Sequence, residues 1–267
     1  MTMYVHGYSD TEAGRLADQA NTLADFIHTT VRFPAGSRVL EAGCGVGAQT
    51  VHLARNNPDV HFTSFDSSAE SIEKAREKIL QENLTNVRTE IADVYNLPYP
   101  AGSFDHVFVC FLLEHLADPN RALKGLKQLL KPNGSIMVVE GDHGSYYCHP
   151  KSDAADHAVQ CLIEAQARKH GNSLIGRQLY PLLVKAGFNE VNVTPRMIYA
   201  DSSKPGLVEG FTKKTFIAMV EGVKNEALTL RLSDEQKWNQ GIADLYRATH
   251  EDGTFCYTFF QATAVRS

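Results

Sequence analysis

The sequence has 267 residues, 43% of them hydrophobic and 21% charged, with a formal net charge of −5. That is an ordinary globular composition with apolar material for one large core. The acidic balance, without any long Lys/Arg block, disfavours a nucleic-acid partner. Cys44, Cys110, Cys148, Cys161 and Cys256 are scattered, with no CxxC pair and no zinc-site spacing, so they read as reduced thiols. The start MTMYVHGYSD lacks a signal-peptide pattern. The most apolar stretch, Phe104 to Leu116, carries Asp105, His106, Glu114 and His115 and is too short to span a bilayer. These features point to a cytoplasmic protein without membrane insertion.

In chain order, Ser9-x-x-Glu12 is a capping box, followed by Ala13, Leu16, Ala17, Ala20, Leu23, Ala24 and Ile27 at helical spacing. Pro34-Ala-Gly36 ends that element. Arg38 to Ala42 reads as a buried strand, Val51 to Arg55 as part of the next helix, and His61 to Phe65 as a second strand. Ser67-x-x-Glu70 is a second capping box, with Ile72, Ala75 and Ile79 on one helical face. Val87 to Ile91 is a third strand. Phe104 to Cys110 is a fourth, nearly all apolar as in a parallel sheet covered on both faces. Asp118-Pro119 supplies an N-cap and a proline at the first helical position. Lys131-Pro-Asn-Gly134 stops that helix, and Ile136 to Glu140 is a fifth strand. Strict alternation from 38 to 140 predicts a doubly wound α/β sheet. Beyond it, helices are expected at 152–169, around Leu179–Ala186 with Gly187 as cap, and at about 206–230 and 233–248. Strands are expected at Val191–Tyr199 and Phe255–Val265. With no linker between the halves, 1–267 reads as one domain. Its parts are a helical segment 1–36, a core 37–141, and cover insertions 145–172 and 201–250.

Between the first strand and its helix lies Glu41-Ala-Gly43-Cys-Gly45-Val-Gly47. Glycines there let a backbone approach a ligand, and the helix start presents unbonded N–H groups. Gly43-x-Gly45-x-x-Ala48 also satisfies the dinucleotide fingerprint. Charge discriminates: Glu41 stands where a pyrophosphate would lie, and a carboxylate there suits a cofactor bearing an ammonium and a sulfonium. Asp66 ends the second strand, placed for ribose hydroxyls, and Asp93 ends the third, placed for an adenine amino group. Three acids at three strand ends, with no compensating arginine, favour a phosphate-free nucleoside.

The runs EAGCGVGAQT, FDSS and IADVYNLPYPAGSFDHVFVCFLLEHLADPNRALKGLKQLLKPNGSIMVVE resemble class I S-adenosylmethionine (SAM)-dependent methyltransferases. Within these they are most similar to the small-molecule branch that includes ubiquinone/menaquinone methyltransferases. The resemblance implies a Rossmann-like seven-stranded sheet with the last strand antiparallel. It implies that Glu41, Gly43, Cys44, Gly45 and Gly47 form the methionine-side loop. Asp66 would hold the ribose, with the adjacent Ser67 also cofactor-binding, Asp93 with Val94 the adenine, and Phe111 would line the pocket beneath the sulfur. Glu114-His115 matches the family pattern as well.

Methyl transfer is an in-line displacement that gains much from alignment and uses a base only when the acceptor must lose a proton. The Asn/Asp-Pro-Pro-aromatic motif of amide and exocyclic-amine methyltransferases and the Pro-Cys motif of cytosine-C5 enzymes are absent. His143 and Tyr146, after the fifth strand, are the candidates for contacting or deprotonating the acceptor, with Glu114 and His115 in reserve. Asp142, Tyr147 and His149 also project there. Asp142, His143 and His149 match no metal motif, and no metal is expected. Tyr4, His6 or Tyr8 could touch the cofactor. Rival readings are a catalytically inactive SAM-binding module, an NAD(P)-dependent oxidoreductase, and aminopropyl transfer in the same pocket.

Overall fold

The computed structural model describes residues 20, 22–24, 26–29 and 31–267. Tyr4, His6, Tyr8 and the Ser9 capping box lie outside the described residues. Residues 22–24 and 26–28 are helical, with Leu23 and Ile27 buried.

Four strands match their predicted cores: β1 Arg38–Ala42, β2 His61–Asp66, β3 Val87–Ile91 and β4 Phe104–Cys110. They join β5 Leu130–His149, β6 Asn189–Asp201 and β7 Thr254–Val265 in one sheet ordered β3-β2-β1-β4-β5-β7-β6. The pairings from β3 through β5 are parallel, and the last strand in sequence, β7, is antiparallel to both its neighbours. Alternation of side chains splits the core in two. Val39, Phe62, Phe108 and Val139 face one layer, while Leu40, Val107, Val109 and Val138 face the other.

Helices α1 Ala48–Arg55, α2 Ala69–Gln81 and α3 Pro119–Leu129 follow strands β1, β2 and β4. The α3 start is as expected: Asp118 accepts from Arg121 N at 2.9 Å, with Pro119 at the first helical position. The α2 cap is a correction. Ser68, not Ser67, accepts from Ser71 N at 3.1 Å, because Ser68 has the extended backbone a cap needs.

Beyond β5, α4 Asp153–Arg168 buries Ala155, Ala158, Val159, Leu162 and Ala165 along one stripe. α5 Leu179–Lys185 packs on the opposite face through Leu179 and Leu183. The stretch expected as one helix near 206–230 is divided into Pro205–Leu207, a π-helical run Val208–Ile217, Ala218–Glu221 and Lys224–Thr229. In the π-helix Thr215 donates its hydroxyl to Gly210 O, five residues back, at 2.9 Å. The last helix, α6 Glu235–Arg247, lays Trp238 and Leu245 into the same core as α4. Among the described residues, no helix is long and apolar enough to cross a membrane.

β5 runs well past the predicted Glu140 because β7 pairs with it on both sides of a break. Ser135 to Gly141 pair with Val265 to Phe259, and Tyr146 to His149 pair with Tyr257 to Thr254. Residues 142–145 bulge out of the ladder between those two registers.

Candidate active site

The glycine loop turns as the sequence requires. Gly43, Gly45 and Gly47 have φ of 75°, 52° and 75°, the left-handed region that glycine enters without a Cβ penalty. A Cβ on Gly43 would sit 2.8 Å from Leu112 Cδ1, so the β4 loop presses directly on this turn, whereas a Cβ on Gly45 would enter open space. Gly45 N donates to Asp66 Oδ2 at 3.0 Å and Ser68 N to Asp66 Oδ1 at 2.9 Å. Asp66 therefore ties the loop to the start of α2, and burial raises its carboxyl above the usual range. Cys44 is buried in the loop, its backbone N–H donating to Phe65 O at 3.0 Å.

Glu41 is 2% exposed and accepts from Ser64 Oγ at 2.6 Å. Burial pushes its carboxyl up to about 7, opposed by the Ser64 hydrogen bond. Asp93 is exposed at the end of β3 and accepts from Tyr95 N at 2.9 Å, beside the buried Val94. No ion pair among the described residues neutralises Glu41, Asp66 or Asp93. This set of carboxylate acceptors fits a cationic, phosphate-free nucleoside and would repel a pyrophosphate.

On the other side of the strand ends, Phe111 adopts φ 55°, uncommon for a bulky residue. Its N–H donates to Val139 O at 3.0 Å, and its ring packs on Phe259 with centroids 5.5 Å apart. The next two N–H groups, of Leu112 and Leu113, donate to Glu140 Oε1 at 3.0 and 2.7 Å. Glu114 and His115 follow in a single 3₁₀ turn and face each other, Oε1 to Nε2, at 3.5 Å.

The bulge in β5 separates the residues that sequence grouped together. Asp142 is buried and gripped by Arg177 through Nε at 2.6 Å and Nη2 at 2.8 Å. His143 is buried, its N–H donating to Ser173 O at 2.9 Å. Its Nδ1 shares a 2.7 Å hydrogen bond with Tyr257 Oη, and Phe216 of the π-helix meets the ring edge-on at 6.3 Å. Tyr146 lies one strand pair beyond the bulge and donates its hydroxyl to Asp156 Oδ1 of α4 at 2.5 Å. Burial, then Asp156, raises that phenol far above its ordinary value. His149 stands at the far end of β5, and no group of three His, Cys, Asp or Glu among the described residues could hold a metal.

Sequence reasoning did not single out Tyr257, Arg177, Ser64 or the role of Glu140. Glu140 was legible in part: an acid ends an apolar strand at the carboxyl edge of a parallel sheet, where ligands bind.

The sheet order, the glycine turn and the acids at successive strand ends define the class I SAM-dependent methyltransferase fold. The sequence profile of a family described as a methyltransferase domain matches residues 34–187, more than half of the chain, and the chain belongs to that family. An uncharacterized methyltransferase of Schizosaccharomyces pombe is 28% identical over 262 residues, covering 93% of this chain and 89% of the relative. The 27-O-demethylrifamycin SV methyltransferase of Amycolatopsis mediterranei is 32% identical over 134 residues, 50% of this chain and 49% of the relative. The chain likewise spans 54% of an uncharacterized Streptomyces fradiae protein and 45% of an Arabidopsis thaliana phosphoethanolamine N-methyltransferase, about half of these relatives' lengths. Among solved structures, the YcgJ protein of Bacillus subtilis superposes with TM-score 0.59 at 17% identity, over 92% of this chain and 98% of that one. A Haemonchus contortus phosphoethanolamine N-methyltransferase holding S-adenosylhomocysteine (SAH) superposes with TM-score 0.57, at 17% identity, over 92% and 52%. These likenesses establish a shared fold.

Proposed function

We propose that the chain transfers the methyl group of SAM to a small-molecule acceptor, which sits over the ends of β4 and β5 beneath α4 and the π-helix. The acceptor is not a nucleic acid. In this reading 1–267 is one domain, and 145–172 with 201–250 form the cover. Glu41, Gly43, Cys44, Gly45 and Gly47 hold the methionine side of the cofactor. Asp66 and Ser67 hold the ribose, Asp93 and Val94 the adenine, and Phe111 lies beneath the sulfur. SAM supplies an electrophilic methyl on a sulfonium, and the chain's task is alignment and control of the proton.

The observation that carries the reading is His143. Its imidazole is fixed by Tyr257 at Nδ1 and flanked by Phe216, which places a titratable ring between the sheet and the cover, beside the strand ends. His143 is the residue that takes the acceptor's proton. Tyr146, its hydroxyl committed to Asp156, is a strut between β5 and α4. The relatives' names support a small acceptor, since demethylrifamycin, phosphoethanolamine and demethylmenaquinone are all small molecules.

Incubation of the protein and SAM with a metabolite extract, followed by mass spectrometry, should show a methylated small molecule and SAH. SAM binding without any methylated product across extracts would favour an inactive binding module instead.

A further inference from the structure

Glu140 lies in β5 just before its break, paired with Phe260 of β7, with no exposed surface. One oxygen accepts from both Leu112 and Leu113, while Oε2 has no hydrogen-bond partner among the described residues. A buried carboxyl with one unmet oxygen is costly as an ion and incomplete as an acid. Its surroundings do not supply the missing charge. Glu114 stands on the turn after β4, Cys110 ends β4, Glu41 is the penultimate residue of β1 and Tyr257 lies in β7. All four are acidic groups whose influence overlaps here, since Glu140, Glu41 and Glu114 push the Cys110 thiol up after burial. Glu114 and Glu140, with Asp142, do the same to the Tyr257 phenol after burial. Of the basic side chains on the neighbouring elements, Arg177 is committed to Asp142, His115 faces Glu114 at 3.5 Å, and His143 on the β5 bulge is held by Tyr257. Burial first, then the Glu114 carboxylate, holds the Glu140 carboxyl well above the usual range against the backbone N–H groups of Leu113, Leu112 and Glu114, which favour its ion. The loop that Glu140 holds contains Phe111 and presses Leu112 on the glycine turn, so it adjoins the place assigned above to the sulfonium.

We propose that Glu140 is the residue by which the site distinguishes the cationic cofactor from its neutral product, keeping its proton when SAH is bound and releasing it when SAM is bound. The proposal rests on the cofactor placement argued under Proposed function. SAM and SAH share their adenosine and amino-acid ends and differ by one methyl and one positive charge. A carboxylate close to that charge, in a medium of effective dielectric about 20, favours SAM by roughly tenfold or more. Linkage fixes the sign. If SAM binding releases a proton that SAH binding does not, SAM affinity gains up to about tenfold per pH unit across the titration, while SAH affinity stays flat. Once the methyl has left, the carboxyl regains its proton and the preference for the cofactor is lost, which favours exchange of product for a fresh donor.

The test is calorimetry of the full chain with SAM and with SAH, in buffers of different ionisation enthalpy across a pH series, for wild type and Glu140→Gln. The amide oxygen of glutamine can still accept from Leu112 and Leu113, so the loop is retained. Wild type should release more protons with SAM than with SAH, and the SAM-to-SAH affinity ratio should rise with pH. Glu140→Gln should lose the extra proton and reduce the ratio about tenfold, with SAH affinity nearly unchanged. Equal proton release by wild type for both ligands overturns the proposal without recourse to any variant. An undiminished difference in Glu140→Gln also overturns it and assigns the proton to Glu41. Failure of folded wild type to bind either nucleoside would overturn the cofactor placement itself, together with this proposal.

Discussion

Replacing Asp66 by alanine removes two kinds of interaction at once, and the structure separates them. The carboxylate accepts from Gly45 N at 3.0 Å and Ser68 N at 2.9 Å, which ties the glycine turn to the start of α2. Hydrogen bonds to a charged acceptor contribute about 1.5–3 kcal/mol each in favourable cases. The residue is only half-buried, so water recovers part of that, and a stability loss of about 1–2 kcal/mol is expected. Binding loses more. The ribose hydroxyls forfeit their acceptor and the loop must be ordered by the ligand itself, so affinity should fall by about 1–3 kcal/mol, or roughly 5- to 150-fold. Because the ribose is common to both nucleosides, SAM and SAH should weaken by the same factor. Asp66→Asn, which can still accept from one N–H, should fall between. Calorimetric titration with both ligands, alongside urea denaturation to confirm folding, reads each part. A folded Asp66→Ala protein with wild-type affinity would remove Asp66 from the nucleoside site. Unequal loss for SAM and SAH would place it near the sulfur instead.

Glu41→Gln should stabilise the ligand-free protein above neutral pH. A folded-state carboxyl raised from 4.5 to about 7 contributes stability that is full below pH 4.5 and lost as pH climbs through 7. The difference amounts to about 3 kcal/mol; parallel stability–pH curves for wild type and variant in urea would refute it. His143→Ala should cut kcat on an identified acceptor by about 10²-fold or more with SAM affinity unchanged, while Tyr146→Phe should cost only about 0.5–1.5 kcal/mol of stability. Turnover that fails in the tyrosine variant and survives in the histidine variant would reverse the assignment. Arg177→Met strands the buried Asp142 carboxylate and should destabilise by about 2–3 kcal/mol, toward the low side for such pairs because the guanidinium is half-exposed. Adding Asp142→Asn should restore much of that in urea denaturation, and no recovery would show that the arginine acts by packing alone.

The parallel core was legible because its central strands β1 and β4 are largely buried, so runs such as Phe104–Cys110 cannot be mistaken for surface. Glu41 and Asp66 were legible because acids at the carboxyl ends of such strands stand out against them. Ser67 and Ser68 both precede helical residues, and only the backbone conformation selects Ser68. Longer-range features were hidden. Asp142 and Arg177 are 35 residues apart, and His143 and Tyr257 are separated by 114. No local pattern announces such pairs. The same holds for the far half of β5, whose strand character comes from β7 and not from its own residues, and for the π-helix, whose sequence Val208–Ile217 carries no periodicity that distinguishes it from α.

The break in β5 is clamped at both ends. Four residues, 142–145, stand opposite the single Thr258 between the pairs Gly141–Phe259 and Tyr146–Tyr257. The ladder on either side fixes where this excursion begins and ends, so its conformational freedom is surrendered when the sheet forms and not when a ligand arrives. Shortening the excursion by three residues would let β5 and β7 zip into an unbroken antiparallel arm, removing the contacts of His143 with Tyr257 and Phe216 while leaving the sheet order and the acid-lined glycine turn intact. In a fold of this kind, the capacity to bind the nucleoside and the choice of what is done with it can be gained or lost separately.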